Sequence, residues 1–205
     1  MNKTVLAILI GVTLSSVSVS SFAFGLGDLG GGGSSAAAGV TAEQLVEKYI
    51  GGSQNVLNAQ AKMLFAVGEK DDAAKAKLAA KNLTTGATEA GLKEAQTIQT
   101  NGSKAIADKM SGVKIVMDAD SKKQFTLGLV DLAKGIKNYI DMSSDVSGFK
   151  PSMTSMGSAA TSALFIVKSL PDTTKNLLAT LKSAVAFAKE NKIEVPKEAT
   201  SALPG

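Results

Sequence analysis

Residues 125–140 read FTLGLVDLAKGIKNYI. Phe125, Leu129, Leu132, Ile136, Tyr139 and Ile140 return every three or four residues, the period of an α-helix that buries one side. Within the same stretch Gly128, Leu132, Gly135 and Tyr139 are spaced by four, three and four residues, so they share a face, and Phe125 stands at its far end. Glycines on a core-facing stripe leave room. Either a neighbouring helix comes close, for which the small residues Gly157, Ala160 and Ala163 are suited, or the face lines a pocket for an apolar ligand with Phe125 and Tyr139 at its ends. Phe125, Gly128, Leu132, Gly135 and Tyr139 are therefore the candidate site.

The same periodicity extends in both directions along the chain. Ser121-Lys122-Lys123-Gln124 has the pattern of a capping box that would start this helix, with Asp120 in its cap region, and Ser143 to Gly148 should close it. Upstream, Thr41-Ala42-Glu43-Gln44 is a second capping box. Behind it Leu45, Tyr49, Val56, Met63 and Val67 recur at steps of four and seven, and Val46, Ile50, Leu57 and Leu64 repeat those steps one position on. The two rows predict a helix with a broad apolar stripe that ends at Gly68. Gly51-Gly52 marks a kink, a break or the close approach of another helix. From Asp71-Asp72 to Met110 the chain is helix-favouring but weakly amphipathic, with Gly86, Gly91 and Asn101-Gly102 as candidate breaks, and reads equally as one helix or two. Downstream, a helix starting near Pro151 carries Met153, Met156, Ala160, Ala163, Leu164, Val167 and Leu170. Pro171 should break or kink it, with Asp172 or Thr173 capping a further helix along Leu177, Leu178, Leu181, Ala184, Val185 and Ala188 as far as Asn191.

Strand signals are nearly absent; residues 113–117 are the one short, ambiguous run. The expected fold is all-α, an up-and-down bundle of four to six helices over residues 41–195. A disordered Gly/Ser/Ala-rich leader at 24–40 precedes it and a loose tail at 196–205 follows.

The first 23 residues read as a secretion signal: a charged Met1-Asn2-Lys3, an apolar run over 5–14 too short to span a bilayer, and Ser21-Phe22-Ala23 as a cleavage site. The mature chain would begin at Phe24 and work in the periplasm or the extracellular space. Its charge of +4, or +3 without Lys3, is carried by lysines alone, because the chain has no arginine. Scattered lysines without the bidentate guanidinium argue against a nucleic-acid reader.

The chain has no histidine, no cysteine and no tryptophan. That removes Ser-His-Asp, Cys-His and imidazole- or thiolate-based metal chemistry together. Ser111-Gly112-Val113-Lys114 and Ser147-Gly148-Phe149-Lys150 match a Ser-x-x-Lys spacing, but the supporting Lys-Thr-Gly is missing and both serines sit at helix ends. Asp71-Asp72 and Asp118/Asp120 lack the further ligands that a hard cation requires. No catalytic residue, metal ligand or cofactor is expected. The sequence reads as an exported, non-enzymatic helical protein that binds a protein partner or an apolar small molecule. The alternative is a membrane-active helical protein, for which residues 159–170 (AATSALFIVKSL) are the nearest segment.

Overall fold

The computed structural model describes residues 40–84, 86–112, 115–149 and 157–204. The expected signal peptide, the leader up to residue 39, the helix start near Pro151 and the lysines of both Ser-x-x-Lys matches lie outside the described residues. Among the described residues there is no strand, and the helices are α1 (Ala42–Ala66), α2 (Lys70–Asn82), α3 (Glu89–Ser111), α4 (Ala119–Gly148), α5 (Ser158–Glu190) and α6 (Lys197–Ser201).

α1 is the central helix. Its double apolar row buries more than one side: Leu45, Tyr49, Val56 and Met63 are fully buried, as are Leu57 and Leu64 one position on. It packs against α2, α3, α4 and α5, whereas the consecutive helices α3 and α4 nowhere bring their backbones within 8 Å of each other. The Thr41 capping box is formed, with Gln44 N donating to Thr41 Oγ1 at 3.2 Å and Thr41 N donating to Gln44 Oε1 at 3.1 Å. Gly51 and Gly52 do not interrupt the helix. At the other end Gly68 takes a φ of 91°, and Glu69 N donates to Leu64 O at 2.8 Å, which closes α1 with a left-handed residue and a reversed bond.

Cross-helix pairs fix the directions. Gln54 Nε2 donates to Leu83 O at 2.7 Å, placing the end of α2 beside the first half of α1. Gln60 meets Gln99 and Ser103, and Glu69 pairs with Lys109, so α3 runs parallel to α1. Lys48 pairs with Asp145 and Lys62 with Asp131, so α4 runs antiparallel to it. Phe125 at the start of α4 packs on Phe187 near the end of α5, with ring centroids 5.4 Å apart. Up-and-down alternation therefore holds through α5.

Three local expectations are corrected. The N-cap of α4 is Asp118, whose Oδ1 accepts from Ser121 N at 2.7 Å; Ser121 is inside the helix rather than its cap. Asp118-x-x-Ser121 and Ser121-x-x-Gln124 both resemble caps, and the acidic side chain is the better acceptor for free amides at a helix start. That contact also holds the Asp118 carboxyl below its ordinary range, chiefly through the Ser121 backbone amide. α5 is one continuous helix containing Pro171, not two. The proline sits on its exposed side, while Ile166 and Leu170 before it and Leu177 and Leu181 after it are buried on one continuing face. Burial of that face outweighs the ~3 kcal/mol by which proline disfavours a helix interior. Finally, the segment after Pro196 is not loose at its start. Thr126 Oγ1 donates to Glu194 O at 3.0 Å, and α6 tucks a fully buried Ala199 against α4.

Candidate functional site

All five residues of the predicted face are buried on α4, with Phe125, Leu132 and Tyr139 wholly inaccessible. The helix that comes close is α1, not the small face of Gly157, Ala160 and Ala163. A Cβ at Gly128 would stand 2.5 Å from Met63 Cγ and 3.0 Å from Ala59 O. One at Gly135 would stand 2.6 Å from Val56 Cγ2 and 3.1 Å from Gly52 O. The approach is reciprocal, since a Cβ at Gly52 would fall 2.5 Å from Tyr139 Cε1. Two glycines on α4 and one on α1 thus let the backbones meet, and α1 fills the space that an apolar ligand would need on this face.

Tyr139 also belongs to a second group that periodicity did not reveal. Its ring stacks on Tyr49 of α1, with centroids 5.2 Å apart and an 11° interplanar angle. Its hydroxyl lies 2.6 Å from Ser53 Oγ, an O–H···O bond in which either oxygen donates. Further along α1, Gln60 Nε2 donates to Gln99 O at 2.7 Å and to Ser103 Oγ at 2.9 Å. Gln99 from α3 and Ser162 and Ser169 from α5 complete a polar layer inside the bundle. Among the described residues, Tyr49 Oη, Gln60 Oε1, both amide atoms of Gln99, Ser162 Oγ and Ser169 Oγ are buried without a hydrogen-bond partner. A buried polar atom without a partner costs about 1–3 kcal/mol, so this layer runs against the stability of the core.

Chemically the layer is limited to hydrogen bonding. Burial raises the Tyr49 phenol above its ordinary pKa, against smaller opposing effects of the nearby Ser169, Tyr139 and Ser53 hydroxyls. Burial pushes Tyr139 well above the ordinary value, reinforced by Tyr49 and opposed by Ser53 and Gln99. Both phenols therefore stay protonated at neutral pH, where neither serves as a base or a nucleophile. The other chemistry weighed from sequence is tied up in local structure. Ser111 Oγ donates back to Ala107 O at 2.9 Å and Ser147 Oγ to Ser144 O at 2.8 Å. Asp72 accepts from Lys75 at 2.9 Å. Among the described residues, no three His, Cys, Asp or Glu side chains gather as a metal would require.

Two grooves open beside this interior. One, of about 290 Å³, lies between α3 and α5 and is walled by Gln96, Gln99, Thr100, Ser103, Thr173, Asn176 and Thr180 together with Leu177 and Ala179, with Lys104 and Asp172 exposed at its rim. The other, of about 610 Å³, lies between α2 and α3 over Ala79, Leu83, Gly86, Ala87, Gly91, Ala95 and Ile98, with Leu78 59% exposed beside them. The polar interior and both grooves were legible only in hindsight. Ser53 and Gln60 occupy the positions that the Tyr49, Val56, Met63 row skips, and Gln99 sits between Ala95 and Ile106 on the buried side of α3. A polar residue standing in an apolar register was the available signal. Comparison of the chain with protein-family models, with curated proteins and with solved structures finds no match.

Proposed function

We propose that this is an exported, non-enzymatic binding protein that takes an apolar group, from a small molecule or from a partner protein, in the groove between α2 and α3. The observation that supports this reading is the groove's composition. Alanine, glycine, Leu83 and Ile98 line it, the exposed Leu78 flanks it on α2, and the polar residues that line it, Lys75, Asn82, Thr88 and Glu94, are exposed. Within α2 the buried side chains are all small, Ala73, Ala76 and Ala80. An element anchored by alanines gives up little packing when it shifts to admit a ligand. Pockets that accept apolar groups share this size and lining.

The test uses the mature chain from Phe24 and an apolar fluorescent dye of the naphthalene-sulfonate type. Saturable binding is expected, weakened about tenfold or more by Leu78→Lys and by Ala87→Trp, which fills the groove. Leu78→Lys should leave stability within about 0.5 kcal/mol, because the side chain is largely in solvent already. Dye binding indifferent to both substitutions would remove the groove from consideration. No helix among the described residues is long and apolar enough to cross a membrane. Vesicles of neutral and anionic lipid exposed to the mature chain should accordingly retain a trapped dye. Export itself is checked by the intact mass of the protein recovered from its host, expected to begin at Phe24.

A further inference from the structure

We infer that the α3–α5 cleft is a second binding site, for a small neutral polyol of monosaccharide or cyclitol size. It stands apart from the α2–α3 groove and does not depend on it. The walls of the cleft carry amides and hydroxyls from both helices, and Gln96 Nε2 spans it to donate to Thr173 Oγ1 at 2.8 Å. Gln99 forms its inner wall and is 3% exposed, with neither amide atom partnered among the described residues. It belongs to both structures, since its amide also lies beside the Tyr139 hydroxyl.

A primary amide with a free donor and a free acceptor recognises a molecule that offers an acceptor and a donor side by side, as adjacent hydroxyls do. Thr100, Ser103, Thr173 and Thr180 extend the same neutral chemistry along the walls. Charge selects further. Lys104 and Asp172 are of opposite sign, are both exposed and sit at the rim, where they contribute little to affinity. The buried surface is uncharged, and a ligand with net charge would lose its hydration without gaining a counter-ion. The volume of about 290 Å³ suits a ligand of this class.

The test is a nuclear magnetic resonance titration of the ¹⁵N-labelled mature chain with glucose and with myo-inositol, with glutamate as a charged control. At least one polyol should shift the Gln99 side-chain amide resonances saturably at about 10 mM or below, and glutamate should not. Read on the backbone amides of the cleft-lining residues, Gln99→Leu should abolish the polyol-induced shifts, and it should raise Tm by about 2–4 °C, because it removes buried atoms that lack partners. Thr180→Val, on the α5 wall, should weaken binding about three- to tenfold with the fold intact, which keeps the test decisive if Gln99→Leu folds poorly. The proposal is overturned by the absence of any polyol response. A response that survives both substitutions, or a stronger response to glutamate, overturns it as well.

Discussion

α1 has two kinds of neighbour, and they are built on opposite principles. Toward α4 it presents Gly52, Val56, Ala59 and Met63 to Gly128, Gly135 and Tyr139, and the backbones meet with no volume to spare. Toward α3 it presents Gln60 to Gln99 and Ser103, in a layer of buried amides and hydroxyls of which several have no partner among the described residues. The first contact is fixed by shape, so any added atom separates the helices. The second is fixed by hydrogen bonds that are incompletely made, so its side chains have alternatives. The difference assigns roles within one bundle. The α1–α4 pair sets the architecture, and the α3–α5 side is where the interior can exchange internal bonds for bonds to something else.

Breaking the stacked tyrosine pair, where the polar layer meets α4, is the largest expected effect, and it is a pH effect. Both tyrosines have folded-state pKa values above the ordinary 10.0. The stability this represents is fully present below pH about 10, where folded and unfolded chains alike keep the phenols protonated. As pH rises above 10 the unfolded chain loses those protons first, so stability falls until the fold is lost. The chain has two tyrosines and no tryptophan, so phenolate absorbance reports on this pair alone. Absorbance and helical circular dichroism should change together in one cooperative step. Phenolate appearing while the helices persist would show that the pair is open to solvent.

Breaking the shape-fixed side comes next. Gly135→Ala should destabilise the protein by about 3 kcal/mol in urea denaturation, since its Cβ meets Gly52 O and Val56 N, both backbone atoms at 3.1 Å, as well as Val56 Cγ2. Gly102→Ala is the matched control on the polar side. The atoms nearest to its Cβ would be those of the Gln60 carboxamide, with Oε1 at 3.0 Å, and the end of a flexible side chain can give way. A cost of less than about 1 kcal/mol is expected there, partly offset by alanine's better helix propensity. Equal costs at the two positions would erase the distinction between the contacts.

The shape-fixed side was also the more legible one. The spacing of Gly128, Leu132, Gly135 and Tyr139 points to a face that admits a close neighbour or an apolar ligand, and Gly51-Gly52 reads as a kink, a break or a close approach. Nothing in either pattern paired them. Periodicity is local to a helix, and the choice of α1 over Gly157, Ala160 and Ala163 is made by the packing of the whole bundle. The start of α1, its stop at Gly68 and the all-α class follow from caps and stripes that are complete within a few residues. Pro171 misled because its local preference is overridden by apolar residues many positions away. The polar layer was missed for the same reason. Ser53, Gln99 and Ser162 look like solvent-facing residues until three other helices close over them.

The finest distinction lies inside the polar layer, between serines that are paired and serines that are not. Ser53 is fully buried and bonded to Tyr139, and Ser53→Ala strands a buried phenolic hydroxyl. A loss of about 1–2 kcal/mol is expected. Ser162 is as deeply placed, at 1% exposure, but its hydroxyl has no partner among the described residues. Removing it strands nothing and relieves a desolvated oxygen, and alanine is the better helix former. Ser162→Ala should therefore leave stability unchanged or raise it by up to about 1 kcal/mol in the same urea experiment. Two substitutions identical in chemistry and nearly identical in burial would then differ in sign, through the one variable that separates them, the state of the hydroxyl's partner. If Ser162→Ala instead costs as much as Ser53→Ala, the Ser162 hydroxyl is satisfied in solution and the layer is an ordinary, fully bonded core.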